Sequence, residues 1–283
     1  MPDDLTGRVI ELDPSVRRVL APNPSPFTFT GTQTHIVGRG AVAVIDPGPD
    51  RPEHLEALLA ATRGERIAAI ICTHNHRDHT PAARALQAAS GAPIVGCAPL
   101  APMGEGGADE SFDAHYSPDR VLGDGERLDG EGWALEAVAT PGHTSNHLCF
   151  ALAGTGILFS GDHVMGWSTS IVSPPDGDMG AYVASLEMLL GRDDARYMPG
   201  HGEAIESPRK LVRGMLLHRR QRERQVIAQI EAGVSRIDEM VAAMYRGVDP
   251  RLHPAAARSV LAHLIDLERR GLAKRDGELW LRG

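Results

Sequence analysis

The chain has 283 residues, of which 42% are hydrophobic and 23% charged, and its net charge is −8 at pH 7. This length allows one large domain and a smaller one. No run of about 18 apolar residues occurs, which argues against a membrane span, and Met1–Asp4 lacks the basic and apolar start of a signal peptide. Cys72, Cys97 and Cys149 lie in apolar runs, so we expect reduced core cysteines and a cytoplasmic protein.

Charge is divided unevenly along the chain. Residues 205–283 hold 16 Lys and Arg against 10 Asp and Glu, a net charge of +6. Residues 1–204 hold 13 basic and 27 acidic residues, a net charge of −14. Such a split predicts two units with different surfaces, one domain over residues 1–204 and a second over residues 205–283.

The first unit alternates predicted strands with predicted helices. Glycines on both sides of Arg39 predict a hairpin turn between the last two of four early strands. Those strands are Val9–Leu12, Val16–Ala21, Thr34–Val37 and Ala41–Ile45. Longer apolar runs predict buried strands at Ile67–Cys72, Trp133–Ala139 and Ile157–Phe159. The spacing of Leu and Ala predicts helices over Pro52–Thr62, Thr80–Ala89 and Ala181–Leu190.

The loop after the Ile67–Cys72 run is rich in potential metal ligands. His74, His76, Asp78 and His79 stand within six consecutive positions. Neutral imidazole nitrogen and carboxylate oxygen suit Zn²⁺ and similar cations. A chance surface cluster of histidines is the alternative, but three at this spacing directly after a strand favour a metal site.

Three later predicted strands end in a comparable way. Thr140–His147, Ser160–His163 and Pro199–Gly202 each join Gly or Pro to His or Asp. Glycine allows sharp turns and leaves room beside a metal. The series H-x-H-x-D-H, P-G-H-T, G-D and P-G-H-G, over about residues 8–204, resembles the signature of the metallo-β-lactamase superfamily. The resemblance implies an α/β fold in which two sheets are sandwiched between helices, the αββα arrangement.

The resemblance also implies a binuclear metal site made only of His and Asp side chains. The expected ligands are His74, His76 and His143 for one metal, Asp78, His79 and His201 for the other, and Asp162 bridging them. We expect two Zn²⁺ ions per chain, with Fe or Mn as alternatives, and a bridging hydroxide at neutral pH. Asp78 would also orient that hydroxide and so be catalytic. Asp46 is expected to support the ligands rather than to bind metal.

Three other histidines have open roles. His147 stands four residues after His143 and is a candidate catalytic proton donor to the leaving group, with a structural role as the equal alternative. His163, beside Asp162, is expected to support the site or to lie in the core. His35 is expected on a strand near the pocket, with its role open.

The second unit is predicted to be mostly helical. Ser235–Asp238 has the form of a capping box, and Asp276-Gly277 is a strong hairpin signal. Predicted helices cover Ser207–Ala232, Ser235–Arg246 and Pro254–Arg270, followed by strands at Leu272–Lys274 and Leu279–Leu281. Helices followed by a hairpin predict a winged-helix-like domain. It would bind nucleic acid or serve only for packing or dimerisation, and a homodimer is one expectation.

The ends of the chain refine the resemblance. Pro22–Val37 and His218–Ile227 are similar to the lactamase-beta-like-two proteins, a group with a glyoxalase-II-like metal core that includes an endoribonuclease of single-stranded RNA. Ser25 and Gln33 depart from the Gly and Asn expected there, so the entry loop differs. The leading hypothesis is a phosphodiesterase acting on single-stranded RNA.

Three alternatives stay open beside it. A glyoxalase-II-like hydrolase would cleave a small thioester or ester, an iron-dependent relative would oxidise persulfides, and a regulator would bind duplex DNA. Basic residues crowd one predicted helix, which we expect to display them to solvent, to RNA or to an acidic partner. They are Arg209, Lys210, Arg213, Arg219, Arg220, Arg222 and Arg224.

Overall fold

The computed structural model describes residues 5–100 and 111–283. Met1–Asp4, where no signal peptide is expected, lies outside the described residues. The chain packs as two compact units. Among the described residues, the first comprises residues 5–100, 111–139, 146–168 and 193–208, and the second comprises residues 140–145, 169–192 and 209–283. The predicted domain boundary at residue 204 stays a prediction.

The first unit contains a seven-stranded sheet among its described residues. Its strands follow chain order: β1 (Val9–Asp13), β2 (Val16–Leu20), β3 (Gln33–Val37), β4 (Ala41–Ile45), β5 (Arg66–Cys72), β6 (Ile94–Gly96) and β7 (Arg120–Val121). Neighbours are antiparallel from β1 to β4 and parallel from β4 to β7. β3 and β4 are buried at every residue, since both faces of the sheet are covered. Helices α1 (Pro52–Ala61) and α2 (Ala82–Ser90) pack on this sheet.

A second sheet completes the sandwich of the first unit. Its strands are β8 (Arg127–Gly130), β9 (Trp133–Ala139), β10 (Leu148–Leu152), β11 (Ile157–Gly161) and β12 (Arg196–Pro199). They are antiparallel except for the parallel pair of β11 and β12. Ile36 and Val44 of the first sheet share one buried core with Phe150 and Phe159 of the second. Burial of each such side chain contributes about 1.5–3 kcal/mol, so this core holds the two sheets together.

The second unit is helical and ends in a hairpin. Its elements are α3 (Met179–Leu190), α4 (Pro208–Glu231), α5 (Ile237–Met244), α6 (His253–Arg269), β13 (Ala273–Asp276) and β14 (Leu279–Arg282). Met240, Val260, Leu264 and Trp280 lie in one buried cluster that joins α5, α6 and the hairpin. The predicted winged-helix pattern is confirmed.

Some local expectations need correction. The N-cap of α5 is Arg236 and no side chain caps the helix, so the predicted capping box at Ser235 is wrong. The Ser235 carbonyl instead accepts the Trp280 N–H at 2.8 Å, because the hairpin packs there. The three cysteines are buried as predicted, and none forms a disulfide within the described residues. No described helix combines the length and the apolar character needed to cross a bilayer.

Candidate metal centre

Loops that carry ionisable side chains follow the carboxyl ends of parallel strands in the first unit. β4 runs parallel to β5, and β11 runs parallel to β12. Asp46 follows β4, the Thr73–His79 loop follows β5, Asp162 follows β11, and His201 comes two residues after β12. Because the carboxyl ends of parallel strands lie at one edge, the loops after them can meet, and ligands are commonly bound there.

Four of the predicted ligands converge in this region. Nε2 of His201 lies 3.0 Å from Oδ2 of Asp78 and 3.4 Å from Oδ2 of Asp162. Nε2 of His79 lies 3.4 Å from an oxygen of each of the same carboxylates. The ligand atoms of the four residues all lie within 4.8 Å of one another. This spacing suits one cation held by nitrogen and oxygen.

Hydrogen bonds at Nδ1 of His79 and His201 determine which nitrogen of each imidazole faces the cluster. Nδ1 of His79 donates to Oδ2 of Asp46 at 3.0 Å, and Nδ1 of His201 donates to the Gly31 carbonyl at 3.2 Å. Both acceptors lack a proton to give, so Nδ1 carries the hydrogen in each neutral ring. The lone pair of each Nε2 then points toward Asp78 and Asp162, which is the arrangement of metal ligands.

The cluster stabilises positive charge at its centre. Burial alone would raise the pKa of Asp162, but the charges of His201 and His79 hold that pKa well below its usual range. Burial also opposes the shift at Asp78, where His79 and His201 again keep the pKa well below normal. Burial would lower the pKa of His201, yet the Asp162 and Asp78 carboxylates raise it to about 10. Protons or a metal ion can satisfy this demand for positive charge.

His74 and His76 form a second group in the same loop. Nε2 of His74 lies 3.0 Å from Nδ1 of His76. Thr73 Oγ1 donates to Oδ2 of Asp46 at 2.8 Å and lies 2.9 Å from Nδ1 of His74. Since its proton is used on Asp46, the Thr73 hydroxyl accepts from Nδ1 of His74 and leaves Nε2 as the ligand atom.

The third predicted ligand of this group is His143. It lies in the 140–145 segment, which belongs to the second unit. Its Nδ1 donates to the Ile171 carbonyl at 2.6 Å, which again makes Nε2 the basic nitrogen of the neutral ring. Its place beside His74 and His76 stays a prediction of the sequence motif.

Gly200 leaves space for the cluster, and Gly161 leaves space for the neighbouring His147. A Cβ on Gly200 would lie 2.7 Å from Oδ1 of Asp162 and 2.8 Å from Cε1 of His79. A Cβ on Gly161 would lie 2.6 Å from Nε2 of His147, and its backbone φ is +47°. The predicted role of glycine beside the ligands therefore has a steric basis at both positions.

The structure shows the surroundings of His147, His163 and His35, the three histidines whose roles the sequence leaves open. Nε2 of His147 accepts the backbone N–H of Asp162 at 3.2 Å, so this buried ring positions the Asp162 loop. That geometry favours the structural alternative, and proton donation by His147 stays a prediction. His163 and His35 are buried. Burial and nearby Arg18 lower the pKa of His35 to about 3, which keeps this ring neutral.

Two contributors were missing from the sequence analysis. Thr73 joins His74 to Asp46, and its place directly before H-x-H-x-D-H could have indicated it. The Gly31 carbonyl holds His201 from 170 positions away, which no sequence pattern shows. Asp46 itself has a left-handed φ of +50°. Such strain is tolerated where the surroundings hold a residue in place, here by Thr73 and His79.

Comparison with known proteins identifies related families and relatives. The family model described as the metallo-beta-lactamase superfamily matches residues 28–201, and the beta-lactamase associated winged helix domain matches residues 237–280. A beta-lactamase-like protein 2 homolog of Drosophila melanogaster is 33% identical over 94% of this chain and 92% of its own length. An atrochrysone carboxyl ACP thioesterase of Aspergillus fumigatus is 34% identical over 78% of this chain and 66% of its own length.

Solved structures agree on the fold. A beta-lactamase domain protein from Burkholderia ambifaria has a TM-score of 0.82 at 20% identity and covers 98% of this chain and 94% of its own. The protein TTHA1623, solved in a di-iron-bound form, has a TM-score of 0.53 at 29% identity and covers 68% of this chain and 96% of its own. The chain carries a winged-helix domain in addition to its metallo-β-lactamase domain. It belongs to the metallo-β-lactamase superfamily, whose members are typically metal-dependent hydrolases.

Proposed function

We propose that the protein is a binuclear metal-dependent hydrolase that cleaves thioesters. The observation that carries the proposal is the cluster in which Nε2 of His79 and Nε2 of His201 face the carboxylates of Asp78 and Asp162. When bound, two divalent ions would supply a hydroxide at neutral pH and positive charge for a developing oxyanion.

The imidazole and carboxylate groups of the candidate site are suitable ligands for such ions. The cluster of Asp78, His79, Asp162 and His201 joins two imidazoles to two carboxylates, which suits Zn²⁺, Fe or Mn. For the other metal, His74, His76 and His143 would provide nitrogen ligands. Asp46 and the Gly31 carbonyl hold the rings of His79 and His201 in the tautomer that such binding needs.

Asp162 and Asp78 have different proposed roles in the site. Asp162 is the more buried carboxylate, with 9% of its side chain exposed, so its role is to hold the two ligand groups together. Asp78 has 26% of its side chain exposed and can accept a hydrogen bond that orients the attacking water. The low pKa of each carboxyl keeps both groups ionised and able to accept hydrogen bonds.

The leaving group favours a thioester over an alkyl ester. Because Nε2 of His147 accepts the Asp162 N–H, this nitrogen carries no proton that it could give to a leaving atom. A thiol has a pKa of about 8.5 and departs as thiolate without help, whereas an alcohol needs a proton. The Aspergillus fumigatus relative, which is named as a thioesterase, supports the same chemistry.

Single-stranded RNA is the second candidate substrate. Exposed Arg209, Lys210, Arg213 and Arg224 on α4 favour it, since phosphate contacts by such residues drive RNA binding. The buried Arg219 and the Arg220–Glu187 ion pair weaken it, because those two arginines are already engaged.

One assay panel on metal-analysed protein separates these substrates. It comprises an acyl thioester of N-acetylcysteamine, a glutathione thioester, bis(p-nitrophenyl) phosphate, single-stranded RNA, and oxygen uptake with a persulfide. We expect thioester hydrolysis that is lost with a chelator and restored by Zn²⁺, Mn²⁺ or Fe²⁺. RNA cleavage without thioester hydrolysis would overturn the thioester assignment, and oxygen uptake without hydrolysis would overturn hydrolysis itself.

A further inference from the structure

Two aromatic rings are stacked at the surface of the first unit. The centroids of Phe29 and Trp167 lie 4.9 Å apart, with an angle of 11° between the planes. Phe29 is 46% exposed and Trp167 is 37% exposed. Two large apolar rings stacked in water form a flat surface suited to a second planar group.

Both rings belong to loops that touch the metal ligand His201. Phe29 stands two residues before Gly31, whose carbonyl accepts from Nδ1 of His201 at 3.2 Å. Trp167 follows Gly166, whose N–H donates to the His201 carbonyl at 2.9 Å. The stack is therefore tied to the candidate metal centre through two separate backbone contacts.

The loop that presents Phe29 is held in place by its own polar side chains. Asn23 binds the backbone N–H and the hydroxyl of Thr32, each at 2.9 Å. The Ser25 hydroxyl accepts the N–H groups of Phe27 and Thr28, each at 3.1 Å. Phe29 has a left-handed φ of +57°, which a bulky residue adopts only where its surroundings impose it. The ring is thus positioned before any ligand arrives.

We propose that the Phe29–Trp167 stack is the acyl subsite of the enzyme and binds a planar aromatic or conjugated acyl group, an inference that rests on the proposed carbonyl hydrolysis. The rings already touch, so the ligand lies on an outer face of the stack rather than between them. A nucleobase would need a neighbouring cation for its phosphate. Neither residues 21–32 nor residues 163–168 contain a Lys or Arg.

Binding of naphthalene-2-carboxamide tests the subsite without turnover. This probe is planar and uncharged, so it has no carboxylate for a metal, and calorimetry on the full chain measures its affinity. We expect Trp167→Ala to weaken binding about tenfold, as loss of one stacking partner predicts. Phe27→Ala is the matched control, since Phe27 is exposed in the same loop outside the stack, and it should stay within about twofold of wild type.

The substrate preference gives a second readout. The ratio of kcat/KM for 2-naphthoyl over acetyl thioester should fall about tenfold in Trp167→Ala. Unchanged carboxamide affinity in Trp167→Ala with a wild-type Tm, or tight binding of AMP but not of the carboxamide, would overturn the subsite. Carboxamide binding that depends on Trp167 in a protein without thioesterase activity would contradict the proposed function and leave the planar subsite standing.

Discussion

The Asp46 carboxylate connects both groups of candidate ligands. Oδ1 accepts the Thr73 N–H at 2.8 Å, and Oδ2 accepts the Thr73 hydroxyl at 2.8 Å and Nδ1 of His79 at 3.0 Å. Through Thr73 it fixes His74, and directly it fixes His79. One buried carboxylate thus orients one candidate ligand in each group, so we expect the affinities of the two proposed metal sites to be linked.

Removal of the Thr73 hydroxyl should weaken metal binding. Thr73→Val keeps the shape of the side chain but breaks the link from Asp46 to His74, and we expect Zn²⁺ affinity to fall about 10- to 100-fold. Competition with a chromophoric chelator measures the change. Thr80→Val is the control, because its hydroxyl donates to Asp113 and to the backbone carbonyl of His76 but forms no hydrogen bond to the side chain of a predicted ligand. Equal effects of the two substitutions would contradict the role of Thr73.

The titration of the cluster predicts how the metal-free protein responds to pH. The folded pKa of His201 is raised to about 10, so its contribution to stability is complete below pH 6.5 and is lost as the pH rises toward 10. The pKa values of Asp78 and Asp162 are lowered, so their contribution is lost only as the pH falls below about 4.

Chelated protein should therefore melt at a lower temperature at pH 9 than at pH 6.5, by roughly 5 °C or more. Calorimetry on metal-free and Zn²⁺-loaded protein checks this, and the loaded protein should lose the dependence because metal replaces the protons. A metal-free Tm that rises between these pH values would contradict the assigned tautomers and charges.

At the scale of elements, the loop after β12 depends on a residue without a side chain. Gly200→Ala would place Cβ against Asp162 and His79, so metal content should fall and turnover should drop at least about 100-fold. Gly214→Ala in α4 meets no atom within 4 Å and is the control, expected to stabilise the helix by about 0.5–1 kcal/mol. Metal content and kcat are the readouts. Full metal loading in Gly200→Ala would contradict the packing described.

Helix α4 displays less of its positive charge than the sequence predicts. Arg219 is buried, donates to the Ser170 carbonyl and lies 5.3 Å from the Tyr182 ring centroid. Arg222 lies 4.2 Å from the Tyr245 ring centroid. The expectation that Arg219 faces solvent or a partner is wrong, since it packs within its own unit.

Arg219→Ala should consequently cost about 2–4 kcal/mol of unfolding free energy, because it leaves the Ser170 carbonyl without its charged donor. Arg224→Ala, at an exposed position on the same helix, should stay within about 0.5 kcal/mol. Urea unfolding measures both. Equal stability of Arg219→Ala and Arg224→Ala would contradict the burial of Arg219.

If RNA is bound, Arg213→Glu and Arg224→Glu should reduce the salt dependence of that binding.

At the scale of the whole molecule, the sequence predicts what is local and repetitive. Long apolar or periodic segments such as β5 and α6 are found within one or two residues of their predicted bounds. The spacing of His74, His76, Asp78 and His79 indicates a candidate metal site, whereas their assignment to two metals comes from the family resemblance and stays a prediction. The burial of Arg219, the Gly31–His201 hydrogen bond and the Phe29–Trp167 stack were not predicted, because each depends on packing between segments far apart in the chain.

Metal stoichiometry measured together with activity distinguishes a binuclear hydrolase from a mononuclear iron enzyme. Elemental analysis of purified wild type should give about two metals per chain, and thioester hydrolysis should scale with loading. Asp78→Ala and His79→Ala should lose metal and turnover but keep a folded circular dichroism spectrum, since both lie in a loop. One tightly held iron with oxygen uptake on persulfide, or near-full activity in either variant, would contradict the binuclear hydrolase.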